Sequence, residues 1–292
     1  MNTFREAIQR EAFAITADLT LRSNSSQDDV ARQLSLLGPC VDGIQVTDNP
    51  WAWVQMSAVS AASLVLKHGF DPIPILTCRD RNRIALQSDL LGLRALGVSS
   101  VLLMRGHKIP KDHPVKARMI FDASAADLVA MAAGLTEPDP SGPAREFFIG
   151  IGAKAFRPAS DWAAESLQER SRAGARFLQT QLCFNLKLLR QYMRSLVEKR
   201  LTWKYSVMVS LTPLPSATTA RWLKKNLSDA RIPDTVIRRL EEAADPEREG
   251  IEICAELMRE MAQIPGVSGV NLMTMGNPDS IHEAVMASGL RD

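Results

Sequence analysis

The stretch "PILTCRDRNRIALQSDLLGLRALGVSSVLLMRGHK", residues 74–108, decides the fold. An apolar run stops at a burst of charge formed by Arg79, Asp80, Arg81 and Arg83. A helical pattern over about 81–96 follows and ends at Gly97, and a second apolar run, 99–104, breaks at Arg105-Gly106-His107. Strand, helix and strand in that order form a βαβ unit, whose two strands run parallel. Both apolar runs are too continuous for a sheet with one wet face, so helices must cover the sheet on its outer side.

The alternation extends outward through the whole chain. Strand patterns fall at 12–19, 43–47, 72–77, 99–104, 146–153, 176–182, 204–211 and 266–274. Helical patterns lie between and after them: 25–37 with Ser25 or Ser26 as N-cap, 57–69 closed by Gly69, 81–96, 124–133, 161–174, 186–199, 216–226, 233–243, 246–263 and 279–288. The polar segment 134–145 reads as an exposed loop, because the same alternation resumes beyond it. Eight strand–helix units predict an α/β fold, a single (β/α)8 TIM barrel occupying 1–292 as one domain. A doubly wound sheet is the rival; six strands are more usual there, and no GxGxxG opens the first unit.

The bulk numbers agree with a large globular core. The chain has 292 residues, 46% hydrophobic and 23% charged, and its 35 basic and 33 acidic side chains leave a formal charge of +2. That balance argues against nucleic acid or an anionic membrane as partner. Cys40, Cys78, Cys183 and Cys254 are widely spaced and read as reduced thiols. No signal peptide and no stretch of ~20 apolar residues is found, so a cytoplasmic location and no membrane span are expected.

A barrel places its chemistry at the C-terminal ends of the strands. The candidates there are Asp18, Thr47, Asp48, Asn49, Thr77, Arg79, Arg105, Gly106, His107, Gly152, Lys154, Gln181 and Thr212. No His, Cys, Asp and Glu cluster has metal-ligand spacing, and no nucleophile elbow is present. Each candidate has a plainer use. Asp18 could cap a turn, the arginines could brace the next helix or hold an anion, and His107 could be a structural hydrogen-bonder. His68, His113 and His282 read as surface residues, and Trp51 and Trp53 as loop packing.

At these residues the chain resembles the methylenetetrahydrofolate reductase family, in the branch that carries a TCRDRNR stretch. Alongside residues 77–83, "ITADLT" (15–20) is similar to the family's first strand end and "VTDNP" (46–50) to its second. "AGARFLQTQLCFN" (173–185), "LTPLPSATTARWL" (211–223) and "EGIEICAELMREMAQIPGVSGVNLMTM" (249–275) continue the likeness in order. The resemblance implies a barrel that binds FAD, takes hydride from NAD(P)H and interconverts 5,10-methylenetetrahydrofolate with 5-methyltetrahydrofolate. By that resemblance Asp18 stands at the catalytic glutamate position. Gln181 stands where a glutamine meets the folate, Thr47, Thr77, Arg105 and Gly106 at flavin-contacting positions, and Arg170 near the flavin phosphates. Barrels of this kind commonly form homo-oligomers.

Two departures bear on the chemistry. Asp18 is shorter than the family glutamate by one methylene, ~1.5 Å, a displacement able to cost ~100-fold in rate if nothing compensates. His107 replaces an aspartate of the fourth strand end, and it could become the proton donor with Asp18 holding its tautomer. The alternatives are a family member that binds folate or a partner without turnover, and a reductase that passes hydride from NADH without flavin.

Overall fold

A computed structural model describes residues 3–10, 12–135, 137–139, 142–159, 161–227 and 229–291, with 137–139 and 142–145 described by backbone alone. Eight strands form the barrel: β1 (Ala14–Asp18), β2 (Gly43–Val46), β3 (Pro72–Thr77), β4 (Ser100–Met104), β5 (Phe148–Ala153), β6 (Ala175–Leu182), β7 (Ser206–Leu211) and β8 (Val267–Leu272). Each pairs in parallel with the next, and β8 closes on β1 through Ala14 opposite Gly269 and Ala17 opposite Leu272. The result is the expected closed (β/α)8 barrel, with every strand a neighbour of the one before it in sequence.

Local chemistry explains the helices that surround it. Ser26 caps α2 (Gln27–Leu37), its hydroxyl accepting from the Asp29 amide in a capping box. Asn82 caps α4 (Arg83–Ala95) by accepting from the Ala85 amide. The charge burst of 79–81 therefore precedes the helix, and only Arg83 belongs to it. In α7 (Leu186–Glu198) the buried residues Leu189, Tyr192, Met193 and Leu196 repeat at helical spacing, so one stripe faces the sheet. Leu, Ile and Val side chains from both layers form the core between strands and helices.

Two elements differ from the sequence reading. Residues Glu137–Asp139 and Gly142–Arg145 form a short antiparallel hairpin inside the segment expected to be loop. A first helix, α1 (Phe4–Gln9), also precedes the barrel; its signal is the capping box in which Thr3 and Glu6 exchange side-chain to backbone bonds.

That helix closes one end of the barrel. Phe4 packs inside it against Phe177 and Phe148, with ring centroids 5.2 and 5.8 Å away. The Phe4 amide donates to Asp71 at 2.8 Å, just ahead of β3. Ile73, Ile75, Leu102 and Met208 complete the apolar filling. Phe177 fits because β5 has Gly150 beside it: a Cβ there would lie 2.0 Å from the phenyl ring. The lower barrel is thus filled mainly by apolar side chains.

Candidate active site

The upper interior of the barrel is lined by Thr16, Asp18, Gln45, Gln179, Ser210 and Asn271, all buried. Asp18 ends β1 and is 4% exposed. Its Oδ1 accepts from Asn271 Nδ2 at 3.0 Å, and Asn271 Oδ1 accepts from the Thr16 hydroxyl at 2.8 Å. The Thr16 bond fixes which way the Asn271 amide points, so its N–H group faces the carboxyl. Burial pushes the Asp18 carboxyl up to about 7, against the opposing pull of the Asn271 bond. A carboxyl held there exchanges its proton close to neutral pH, the range in which a general acid is useful.

Beside Asp18 in register stands Gln45 of β2. It reaches across to Gln179 of β6, and the two amides exchange hydrogen bonds of 2.8 Å in both directions. Gln181 lies two residues further along β6 and is half-buried. Lys154 pairs with Asp229 at 2.8 Å on the outside of the mouth, and the Thr212 hydroxyl is turned to the Pro213 carbonyl.

The rim over β2, β3 and β4 is a connected polar network. Asp48 accepts from both the amide and the hydroxyl of Thr77 at 2.8 Å, and it also pairs with Arg81. Thr47 donates to Gln55 Oε1 at 3.0 Å. Arg79, 2% exposed, grips Asp80 through two bonds of 2.7 Å and gives a third to the Asn49 carbonyl. Gly106 has φ +85°, and a Cβ would stand 3.1 Å from Thr77 Cβ and Arg79 Cβ. Its lack of a side chain lets the β4 loop settle on the end of β3. Beyond it, the exposed Arg105 lies 4.3 Å over the Phe121 ring.

Aromatic rings bridge the loops of this rim. His107 is exposed and stacks parallel on Trp51, with centroids 5.4 Å apart and planes 5° from parallel. Trp51 also meets the edge of Trp222 on α8 (Ala217–Asn226) at 6.5 Å. Asn49, Trp51 and Ala52 all have left-handed φ, of 45°, 57° and 65°. Each non-glycine residue in that region costs about 1 kcal/mol, least for asparagine. Trp53 is exposed and lies against His113, which is buried and bonds within its own loop, so His113 is not the surface residue expected.

The structure brings Asp18, Gln181, Thr47, Thr77, Arg105, Gly106 and His107 to one end of the barrel, but not into one cluster. Asp18 bonds Asn271 and not His107, whose ring contact is Trp51, so no Asp–His pair forms. Arg170 lies elsewhere. It sits in the last turn of α6 (Glu165–Arg172), where the helix has run back to the start of β6, and its charge is felt by Tyr205 ahead of β7. Asn271, Gln45 and Gln179 were not anticipated. Their only signal was a polar residue inside an apolar strand, which period-two reading marks as inward-facing. Among the described residues no group of three or more His, Cys, Asp and Glu could hold a metal. No helix among them is long and apolar enough to cross a membrane.

Solved structures similar to this chain match it at low sequence identity. Tryptophan synthase from M. tuberculosis in an aminoacrylate-bound form matches with TM-score 0.50 and 12% identity, over 99% of this chain and 97% of that one. Flavocytochrome b2 with sulfite bound gives 0.48 and 12% over 96% of this chain, which spans 62% of that protein's length. DHPS from Yersinia pestis with a pterine-sulfa conjugate gives 0.49 and 9%, over 96% and 94%. No curated protein matches the chain. The sequence itself is more specific: the profile described as methylenetetrahydrofolate reductase matches residues 5–289, nearly the whole barrel and all of its mouth. A closed parallel barrel with a buried carboxyl at the end of β1 is thus built by a chain that belongs to the methylenetetrahydrofolate reductase family.

Proposed function

We propose that this protein reduces 5,10-methylenetetrahydrofolate to 5-methyltetrahydrofolate with NAD(P)H, Asp18 acting as the acid. The observation that carries this reading is the buried Asp18 carboxyl, pushed to about 7 and held through Oδ1 by Asn271. The free Oδ2 then carries the proton. Its transfer to N10 of the folate breaks the N10–methylene bond and opens the five-membered ring, leaving an iminium between N5 and the methylene carbon. Hydride from C4 of the dihydronicotinamide adds to that carbon and yields the N5-methyl group and NAD(P)⁺. The carboxylate left behind keeps its Asn271 bond, and solvent at the mouth returns the proton. Positioned general acids contribute about 10²–10⁴-fold, so Asp18→Asn should lose activity by that order.

The flavin implied by the family finds an incomplete holder among these residues. Arg170 is at the far end, while the Thr47 and Thr77 hydroxyls donate to Gln55 and Asp48. Arg105 and Gly106 alone remain placed for it at the rim. With Arg170 at the far end and both hydroxyls engaged, these five positions speak against a bound flavin, and this reading passes the hydride directly from the nicotinamide.

The test is turnover by the purified protein with 5,10-methylenetetrahydrofolate and either NADH or NADPH, together with its visible absorbance. Folate-dependent oxidation by colourless protein is the expected result. Flavin absorbance in active protein would refute the direct transfer. Absent turnover with both nucleotides would sink the enzyme reading, and persistent folate binding would then favour a binding role.

A further inference from the structure

The paired amides of Gln45 and Gln179 are hard to explain as structure. A barrel interior is filled at least cost by apolar side chains, and the floor just below them is: Ile75, Leu102, Phe177 and Met208 are all buried there. Gln45 is 1% exposed and Gln179 8%, and their reciprocal bonds use one N–H and one oxygen lone pair of each amide. The second N–H of each has no protein acceptor among the described residues. A buried donor left in that state costs stability, and such groups call for a functional account. The pair lies between strands on opposite sides of the barrel. Asp18 is the register neighbour of Gln45, and Gln181 lies two residues beyond Gln179 on β6.

We infer that Gln45 and Gln179 form the recognition floor of the site and read a lactam edge on the ligand, the adjacent N–H and C=O of a 2-amino-4-oxopyrimidine ring. This deepens the folate reading and rests on it. Along each edge of the reciprocal pair the remaining N–H of one amide lies beside the remaining oxygen lone pair of the other, a donor and an acceptor that a lactam edge can meet. A ring seated there has its edge against the pair and its reducible side toward the Asp18 carboxyl on the adjacent strand. A site that hydrogen-bonds a ligand group discriminates strongly against an analogue lacking it, because the protein groups are then left buried and unpaired.

The experiment is equilibrium binding of two probes to the full-length protein: 5-methyltetrahydrofolate, and an analogue in which a 4-amino group replaces the 4-oxo group. The wild type should prefer the oxo ligand by about 10-fold or more. A paired Gln45→Met and Gln179→Met variant, close in volume to the original, should lose most of that preference. Gln179→Met alone, with folding checked by its melting curve, should lose part of it. Wild type that binds neither probe overturns the folate reading and this inference together. Wild type that binds folate, with a methionine variant that keeps the full oxo-over-amino ratio, overturns the inference alone.

Discussion

Replacing Asp18 by Asn should stabilise the protein, and by an amount that grows with pH. Burial raises the Asp18 carboxyl to about 7 in the folded chain, whereas in the unfolded chain it titrates near the usual ~3.9. A folded pKa above the unfolded one means that the fold disfavours the ionised form. The stability this group permits is complete below about pH 4, falls as pH rises toward 7, and is constant above it. At ~1.36 kcal/mol per unit, the loss is about 1.5 kcal/mol near pH 5 and about 4 kcal/mol near pH 8. Asparagine does not titrate, and its amide oxygen can still accept from Asn271 Nδ2. Any penalty for its added N–H group is the same at every pH and drops out of the comparison. The variant should therefore gain about 2.5 kcal/mol on the wild type between about pH 5 and about pH 8. With 292 residues and ~2.1 cal/mol/K per residue of unfolding entropy, that is about 4 °C in Tm. Asp71, raised by burial to about 6, shifts both proteins alike and cancels. The assay is thermal or urea denaturation of both proteins at the two pH values. A difference that stays flat across that range would refute the claim that Asp18 is protonated in the neutral fold, and the acid role with it.

Three further outcomes follow from the geometry. Thr16→Val frees the Asn271 amide to rotate away from Asp18, removing a bond that holds the carboxyl down; the pH profile of kcat should shift upward, and an unmoved profile would deny the relay. Phe4→Ala empties the lower barrel beneath Phe148 and Phe177 and should cost about 3–5 kcal/mol in urea unfolding, whereas a loss under 1 kcal/mol would mean that α1 is not a plug. Gly106→Ala puts a side chain at φ +85°, 3.1 Å from Thr77 and Arg79, and should cost about 1–3 kcal/mol while raising KM more than it lowers kcat; a melting point equal to wild type would count against the close approach of the β4 loop.

The fold was legible because a parallel strand buried on both faces leaves a dense apolar run, and eight such runs alternate with helical spacing here. The last β-strand residue could be read locally, as at Thr77, whereas the helix expected from about residue 81 begins at Arg83, after the Asn82 cap. Arg105, Gly106, Thr47 and Thr77 were placed at the rim for the same reason. What could not be read is which rim residues meet across the barrel. Gln45 and Gln179 are separated by 134 positions, and Asn271 reaches Asp18 only because β8 closes on β1. Arg170, placed near the flavin phosphates by resemblance alone, sits in the last turn of α6, which runs back toward the start of β6.

The Phe4 plug has a kinetic consequence. With the lower end sealed by aromatic rings, any small molecule that reaches Asp18 enters by the mouth and departs by it. Two reactants sharing one doorway must either lie one upon the other or take turns. Product-inhibition patterns would then report on the architecture as much as on the chemistry: the molecule that sits deeper must arrive first and leave last.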